Sequence, residues 1–247
     1  MKVPERFRFY GVNIHATHLE ETERFLLQYD FTQPNYVLFP DSSVIAASQH
    51  DLRLRNILNQ ALLTLPDGLP SAWYARSKGY GKVSTVSGFQ LCQRLLASSL
   101  THYFIGSSPE TLQKIRAHIQ NRFPSARVLG YAPLPFQDLS WFKDGSRLGQ
   151  EWEEIDRLQP DLIWVGLSSP KQDYLIDSHA PRLRHGVLLG VGGVFDYLSG
   201  SQKKSPEWIK RIGLRWLWRL AREPRRLGPK YWAVARFYFS VLRKKKK

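Results

Sequence analysis

Short runs rich in β-branched and aromatic residues alternate along the chain with longer segments whose apolar positions recur every three or four residues. That is the pattern of parallel strands joined by crossover helices. It predicts strands at Val12–Ile14, Tyr36–Phe39, Leu62–Leu65, His102–Gly106, Arg127–Tyr131, Leu162–Gly166 and Val187–Val191. The last two are near-continuous apolar runs, as expected of strands buried on both faces. Helices are predicted at Leu19–Tyr29, Val44–Gln49, Gly88–Ser98 and Trp152–Leu158. The clearest unit is the strand His102–Gly106 followed by Ser107-Ser108-Pro109-Glu110. A serine cap, a proline at the first helical position and an acid in the first turn open a helix there that runs through Ile119. The fold class is therefore α/β, a Rossmann-like, mostly parallel sheet flanked by helices. No internal repeat interrupts it. Composition changes abruptly after Ser201, which divides an α/β body, 1–200, from a C-terminal appendage, 201–247.

Charge sharpens that boundary. The chain has 247 residues, 36 Lys plus Arg against 21 Asp plus Glu, and a formal charge of +15. Residues 1–200 carry 20 basic and 19 acidic groups, whereas 201–247 carry 16 basic groups and only Glu207 and Glu223, so a nearly neutral body bears a strongly basic tail. A uniformly basic histone-like protein and a disordered chain are excluded by the balanced body and by 13% aromatic content. A single cysteine, Cys92, excludes a disulfide framework and an all-cysteine metal site. Met1–Tyr10 has no apolar run of the kind a signal peptide needs. The longest apolar tail segment, Tyr231–Leu242, is 12 residues and is interrupted by Arg236, short of the ~20 needed to cross a bilayer. The expectation is a cytoplasmic protein, peripheral on the inner face of the cell membrane.

In the tail, Arg211, Arg215, Arg219 and Arg222 fall at spacings of 4, 4 and 3, one basic stripe on a helix whose other faces carry Leu214, Trp216, Leu217, Trp218 and Leu220. Pro224 ends or kinks that helix before Arg225, Arg226, Lys230, the aromatic segment Tyr231–Leu242 and the closing Arg243–Lys247. Such a basic amphipathic helical appendage suits an anionic membrane surface. The rival is nucleic acid, with arginines on phosphates and aromatics on bases. Bulky contiguous apolar residues beside the basic cluster favour the membrane, so no nucleic acid is expected. A plainer account, that part of the tail packs on the body and reaches its cleft, is compatible with membrane contact.

Ligands in open α/β sheets bind outside the carboxyl ends of the strands. Four loops at predicted strand ends carry suitable groups: Pro66-Asp67-Gly68, Gly106-Ser107-Ser108, Gly166–Gln172 and Gly190–Asp196. Backbone amides at such helix starts favour phosphate, and small residues such as Gly192 and Gly193 permit close approach, so a nucleotide diphosphate is a candidate ligand. Glycines and serines that merely serve tight turns are the plainer account of any one loop. Asp67, after an apolar run and before a glycine, can act as general base toward an attacking hydroxyl or can bond the backbone of its own turn. Lys171 and Gln172 can contact ligand, or Lys171 can be a solvated first-turn residue. Gly190-x-Gly192-Gly193 is not a dinucleotide fingerprint, because Asp196 stands at the third glycine position. No Asp-x-Asp pair occurs, and His15-x-x-His18 reads as surface histidines with no third ligand nearby. Neither a metal nor an organic cofactor is implied.

Taken in order, Leu65-Pro66-Asp67-Gly68, Tyr103-Phe104-Ile105-Gly106, Val165–Asp173, Val191–Asp196, Trp216–Leu220 and Glu223-Pro224-Arg225-Arg226 resemble the WecG/TagA/CpsF family of bacterial glycosyltransferases from about Tyr10 to Lys230. The resemblance implies metal-independent, inverting transfer of a sugar, often N-acetylmannosamine or its uronic acid, from a UDP-sugar donor to a polyprenyl-diphosphate-linked acceptor in cell-surface polysaccharide biosynthesis. It implies Asp67 as catalytic base, Gln172 as a substrate contact and Arg219 and Arg226 on the diphosphate; from the strand-end loops themselves, Asp41, Ser107, Gly192, Gly193 and Asp196 are the further expected substrate contacts. Phe39-Pro40-Asp41 stands where the family usually has T-P-N, Lys204-Ser205-Pro206 stands for R-A-P, and Arg215-Trp216 for E-W. The family's appendage is implicated in membrane binding and in completing the site. The rival from another class is a non-catalytic membrane- or nucleic-acid-binding module with a vestigial nucleotide cleft. Oligomeric state is open, a homo-oligomer included.

Overall fold

Alternate residues of a strand point to opposite faces, so a strand apolar at every position must be covered on both sides. In a computed structural model of the chain, which describes residues 2–144, 149–202 and 215–244, eight strands form. They are β1 (Arg6–Phe9), β2 (Val12–His15), β3 (Asn35–Leu38), β4 (Leu63–Thr64), β5 (Thr101–Ile105), β6 (Arg127–Ala132), β7 (Leu162–Val165) and β8 (Val187–Gly190). The last six make one parallel sheet in the order β4-β3-β8-β7-β5-β6. Tyr36, Leu38, Tyr103, Ile105, Ile163, Val165 and Leu188 face one core. Val37, Leu63, Phe104, Leu162, Trp164, Val187 and Leu189 face the other. Helices cover both faces, which is the expected α/β fold. Each strand expected in the sheet lies within a residue or two of its anticipated bounds, and helix Pro109–Arg122 opens as expected, with Ser108 Oγ accepting from Thr111 N at 3.3 Å.

The strand expected at Val12–Ile14 forms but stays outside the parallel sheet. It pairs antiparallel with β1, Phe7 opposite Ile14 and Phe9 opposite Val12, across a tight turn at Tyr10-Gly11 in which both residues have positive φ, 46° and 80°. The hairpin is tied to β4 and the helix before it, Leu52–Gln60. Arg6 Nε lies 2.9 Å from His15 Nε2 and Arg6 also donates to Ala61 O at 3.1 Å, Thr64 N lies 2.9 Å from His15 Nδ1, and Asn59 Oδ1 accepts from Asn13 N at 2.7 Å. His15 is therefore fully buried, not a surface histidine. Burial, with Arg6 adding, lowers its pKa to about 4. His18 is half-buried beside Glu21, 3.5 Å away.

At the C-terminus, helix Arg215–Arg222 gives way at Glu223 to a helix, Pro224–Lys244, that begins with its proline. This second helix packs on the body rather than standing away from it. Tyr10 meets Phe237 edge-on at 5.0 Å and Tyr238 at 6.1 Å, and the Tyr238 hydroxyl lies 3.1 Å from Ser42 Oγ. Leu214, Arg211 and Lys204-Ser205-Pro206 lie outside the described residues, as do Lys245, Lys246 and Lys247.

Candidate functional site

Because the six sheet strands are parallel, their carboxyl ends share one edge. The sheet order sets side by side the loops after β4 (Pro66-Asp67-Gly68), β3 (Phe39-Pro40-Asp41), β8 (Val191–Gly193), β7 (Gly166–Gln172) and β5 (Gly106-Ser107). The chain leaves β3 toward β4 and leaves β5 in the opposite direction toward β6. Divergence of that kind opens a crevice at the carboxyl edge of an α/β sheet. Backbone bonds carry the ladder into the loops: Leu65 N to Leu38 O at 2.8 Å, Gly166 N to Ile105 O at 2.8 Å, Gly106 N to Ala132 O at 2.9 Å and Gly192 N to Val165 O at 3.3 Å. The loops are thus fixed on the sheet rather than draped across it.

Two glycines show how close the packing is. A Cβ on Gly166 would lie 2.2 Å from the ring of Phe195, itself 2% exposed. Gly192 has φ +46°, and a Cβ there would lie 2.8 Å from Leu167 O and 3.2 Å from Gln172 Oε1. Side chains at these positions would push apart the loops after β7 and β8, so the floor of the crevice is backbone.

Asp67 is half-buried one residue before Gly68, the cap of helix Leu69–Ser77, and its loop is held by Val86 N donating to Pro66 O at 2.9 Å. Asp67 thus stands in the loop at the carboxyl end of β4, on the ligand-binding edge expected of such a sheet. Asp41 caps helix Ser42–Ala47: Oδ1 accepts from Ser43 N at 2.9 Å and Val44 N at 3.1 Å. Ser107 has φ +65°, and its carbonyl accepts from Leu134 N at 3.2 Å, linking the loop after β5 to the segment after β6. Gly193 caps the short helix Val194–Leu198, on which Asp196 is half-buried.

Gln172 is 4% exposed and lies beneath the loops. Its Nε2 donates to Gly190 O at 2.8 Å and to Ser169 Oγ at 3.1 Å, and its buried Oε1, facing Gly192, has no hydrogen-bond partner among the described residues. The amide thereby joins the ends of β7 and β8. Lys171 is half-buried: it donates to Gln137 O and lies over the ring of Phe136 at 4.7 Å. Sequence reasoning missed this contact because Gln137 sits 34 residues earlier in the chain.

Arg219 and Arg226 lie on the two C-terminal helices, and their side chains fall outside what the structure describes. The Tyr238–Ser42 contact brings the second of those helices beside the Asp41 cap. Burial, opposed by the Ser42 bond and reinforced by Tyr10 and Asp41, raises the Tyr238 pKa, so its hydroxyl stays protonated. Sequence reasoning missed this partner too, 196 residues from Ser42. Among the described residues no group of three or more His, Cys, Asp or Glu could hold a metal ion, and no helix is long and apolar enough to cross a membrane.

A model of the family described as "Glycosyl transferase WecG/TagA/CpsF family" matches residues 7–247. The chain is similar, at 24% identity over 195 residues, to an N-acetylglucosaminyldiphosphoundecaprenol N-acetyl-beta-D-mannosaminyltransferase of Bacillus subtilis (strain 168), with 77% of this chain and 72% of that protein covered. The protein of the same name from Bacillus spizizenii (strain ATCC 23059 / NRRL B-14472 / W23) is 24% identical over 215 residues, 85% of this chain and 78% of its own length.

Proposed function

The chain belongs to the WecG/TagA/CpsF family of glycosyl transferases, and from that premise we propose that it moves an N-acetylmannosamine-type sugar from a UDP donor to a polyprenyl-diphosphate-linked acceptor, serving cell-surface polysaccharide synthesis. The observation that carries the proposal is Asp67, a half-buried carboxylate in the loop at the carboxyl end of β4, in a chain matched by the family over residues 7–247. Asp67 takes the proton of the acceptor hydroxyl as that oxygen bonds to the anomeric carbon, and UDP departs from the opposite face, which inverts the centre. Arg219 and Arg226 hold the diphosphate as its charge develops, the part a metal plays in other sugar-nucleotide enzymes. Metal independence is further supported by the lack of an Asp-x-Asp pair in the sequence. Asp41 and Ser107 border the substrates, Gly192 and Gly193 admit them closely, and Gln172 and Asp196 set the loop after β8. Residues 201–247 form the appendage that meets the inner face of the membrane and closes the site. The names of the two Bacillus relatives support the acceptor class.

The test is UDP release with UDP-N-acetylmannosamine and a short polyprenyl-diphosphate-linked N-acetylglucosamine acceptor, with and without EDTA. Turnover should survive EDTA. Asp67→Asn should lower kcat by 10²-fold or more, on the order of what a general base contributes, while UDP binding measured by calorimetry persists. Unchanged turnover in Asp67→Asn would remove this residue from the mechanism.

A further inference from the structure

Beside the hairpin, the body has an exposed face that the catalytic reading leaves unused. Helix Leu69–Ser77 buries its small residues, Ser71, Ala72 and Ala75, and exposes Trp73 (59%) with Arg76 three residues on. Lys78 and Lys82 follow, also exposed. From 68 to 109 the sequence contains no Asp or Glu. Among the described residues none of Arg76, Lys78 and Lys82 has a carboxylate within 4.0 Å. A large exposed aromatic beside three cations that no carboxylate pairs is a costly thing to leave in water unless a partner with an apolar interior and an anionic surface covers it.

A contiguous series of rings connects this helix to the C-terminal one. Tyr74 meets Phe9 at 5.2 Å, Phe9 meets Tyr10 at 4.6 Å, and Tyr10 meets Phe237 at 5.0 Å. The two helices therefore flank one hairpin. The C-terminal helix, too, turns aromatic and basic residues outward, with Trp232 69% and Phe239 58% exposed and Arg225 and Arg236 exposed beside them.

We propose that Trp73, with Arg76, Lys78 and Lys82, is a second bilayer anchor, built into the body, that shares the lipid surface with the C-terminal helix. This rests on the reading of the appendage as a membrane-binding element. Helix Leu69–Ser77 begins two residues after Asp67, so an anchor on it brings the base to the level of the headgroups, where the diphosphate of a lipid-linked acceptor lies.

The experiment uses the full-length protein and sedimentation with vesicles of phosphatidylcholine, with and without phosphatidylglycerol, for the wild type, Trp73→Ala, and Trp232→Ala/Phe239→Ala. Trp73→Ala should keep its melting temperature, because the side chain is exposed. It should bind phosphatidylglycerol vesicles about tenfold more weakly, as expected for losing part of a large apolar contact. Its turnover should be unchanged on a short-chain acceptor in solution and reduced on a long-chain acceptor in the vesicles. Vesicle binding equal to the wild type would overturn the proposal while leaving the appendage reading intact, provided the Trp232/Phe239 variant is weakened. If the wild type itself ignores these vesicles, both readings fall. Loss of turnover on the soluble acceptor would also overturn it, since Trp73 would then belong to the site.

Discussion

Gly166→Ala tests whether the loops after β7 and β8 are held apart by the thickness of a backbone. The added methyl would sit 2.2 to 2.4 Å from three carbons of the Phe195 ring, well inside contact distance. Phe195 cannot swing away freely, because it is 2% exposed and packs on Phe104 with ring centroids 5.7 Å apart. Overpacking of this kind costs about 1–3 kcal/mol. Relief comes most readily by moving helix Val194–Leu198, and with it Gly192 and Gly193 at the crevice floor. Phe195→Ala alone should cost about 3–5 kcal/mol by leaving a cavity. In the double variant the methyl enters space the ring has left, so the two costs should fall short of additive by about 1 kcal/mol or more. Urea unfolding followed by circular dichroism gives the four free energies, and calorimetry gives UDP affinity for each folded variant. Gly166→Ala should weaken UDP binding, and Phe195→Ala should partly restore it in the double. Additivity within about 0.5 kcal/mol, the ordinary scatter for independent sites, would refute the contact as the cause.

Two other perturbations test the surroundings. Burial holds the pKa of both His15 and His102 at about 4, below the ordinary 6.5, with Arg6 adding at His15 and with Leu95 and Asp161 opposing at His102. The unfolded chain therefore takes up protons as pH falls below 6.5 while the folded chain does not until about 4, so stability falls with pH across that window, by about 2 kcal/mol per histidine at pH 5. Urea midpoints between pH 7 and 4.5 measure it; His102→Asn, which keeps an acceptor for Trp164 Nε1, should flatten the slope. At the loop after β3, Asp41→Ala should cost about 1 kcal/mol through loss of the cap, whereas Asp41→Asn should be nearly neutral in thermal unfolding. Equal melting temperatures for all three proteins would show that the cap contributes nothing.

The sheet was legible because its strands announce themselves through apolar content and turn chemistry. Leu162–Val165 and Val187–Gly190 are apolar throughout since both faces are covered. Helix Leu69–Ser77 was not legible because it buries only serine and alanine and exposes its tryptophan, which leaves no apolar stripe to read. Strand β1 hides among charged residues, though its alternation of exposed Arg6 and Arg8 with buried Phe7 and Phe9 is a half-buried strand's signature. At the site, the loops could be found from glycines and strand ends, which are local features. What Gln172, Lys171 and His15 do could not, because each is defined by partners brought in by the fold: Gly190 O, Gln137 O and the Arg6–Thr64 pair.

The tail's charge shows the same division between composition and placement. Arg225, Trp232, Arg236 and Phe239 fall at i, i+7, i+11 and i+14, one stripe of the C-terminal helix, and all four are exposed. Phe237 and Tyr238 lie off that stripe, against Tyr10 and Ser42. One helix thus docks on the body with one side and presents cations and aromatics with another. In the proposed membrane role, two arginines near anionic lipid contribute about 1 kcal/mol each, a factor of roughly 30 in partition. That is too little to hold a 28.7 kDa protein on a surface. Trp232 and Phe239 must then enter the headgroup layer, and the terminal lysines must add their charge. If the helix is to lie flat while docked, the body beside it must also tolerate the bilayer, and the basic, Trp73-bearing flank of the hairpin meets that requirement.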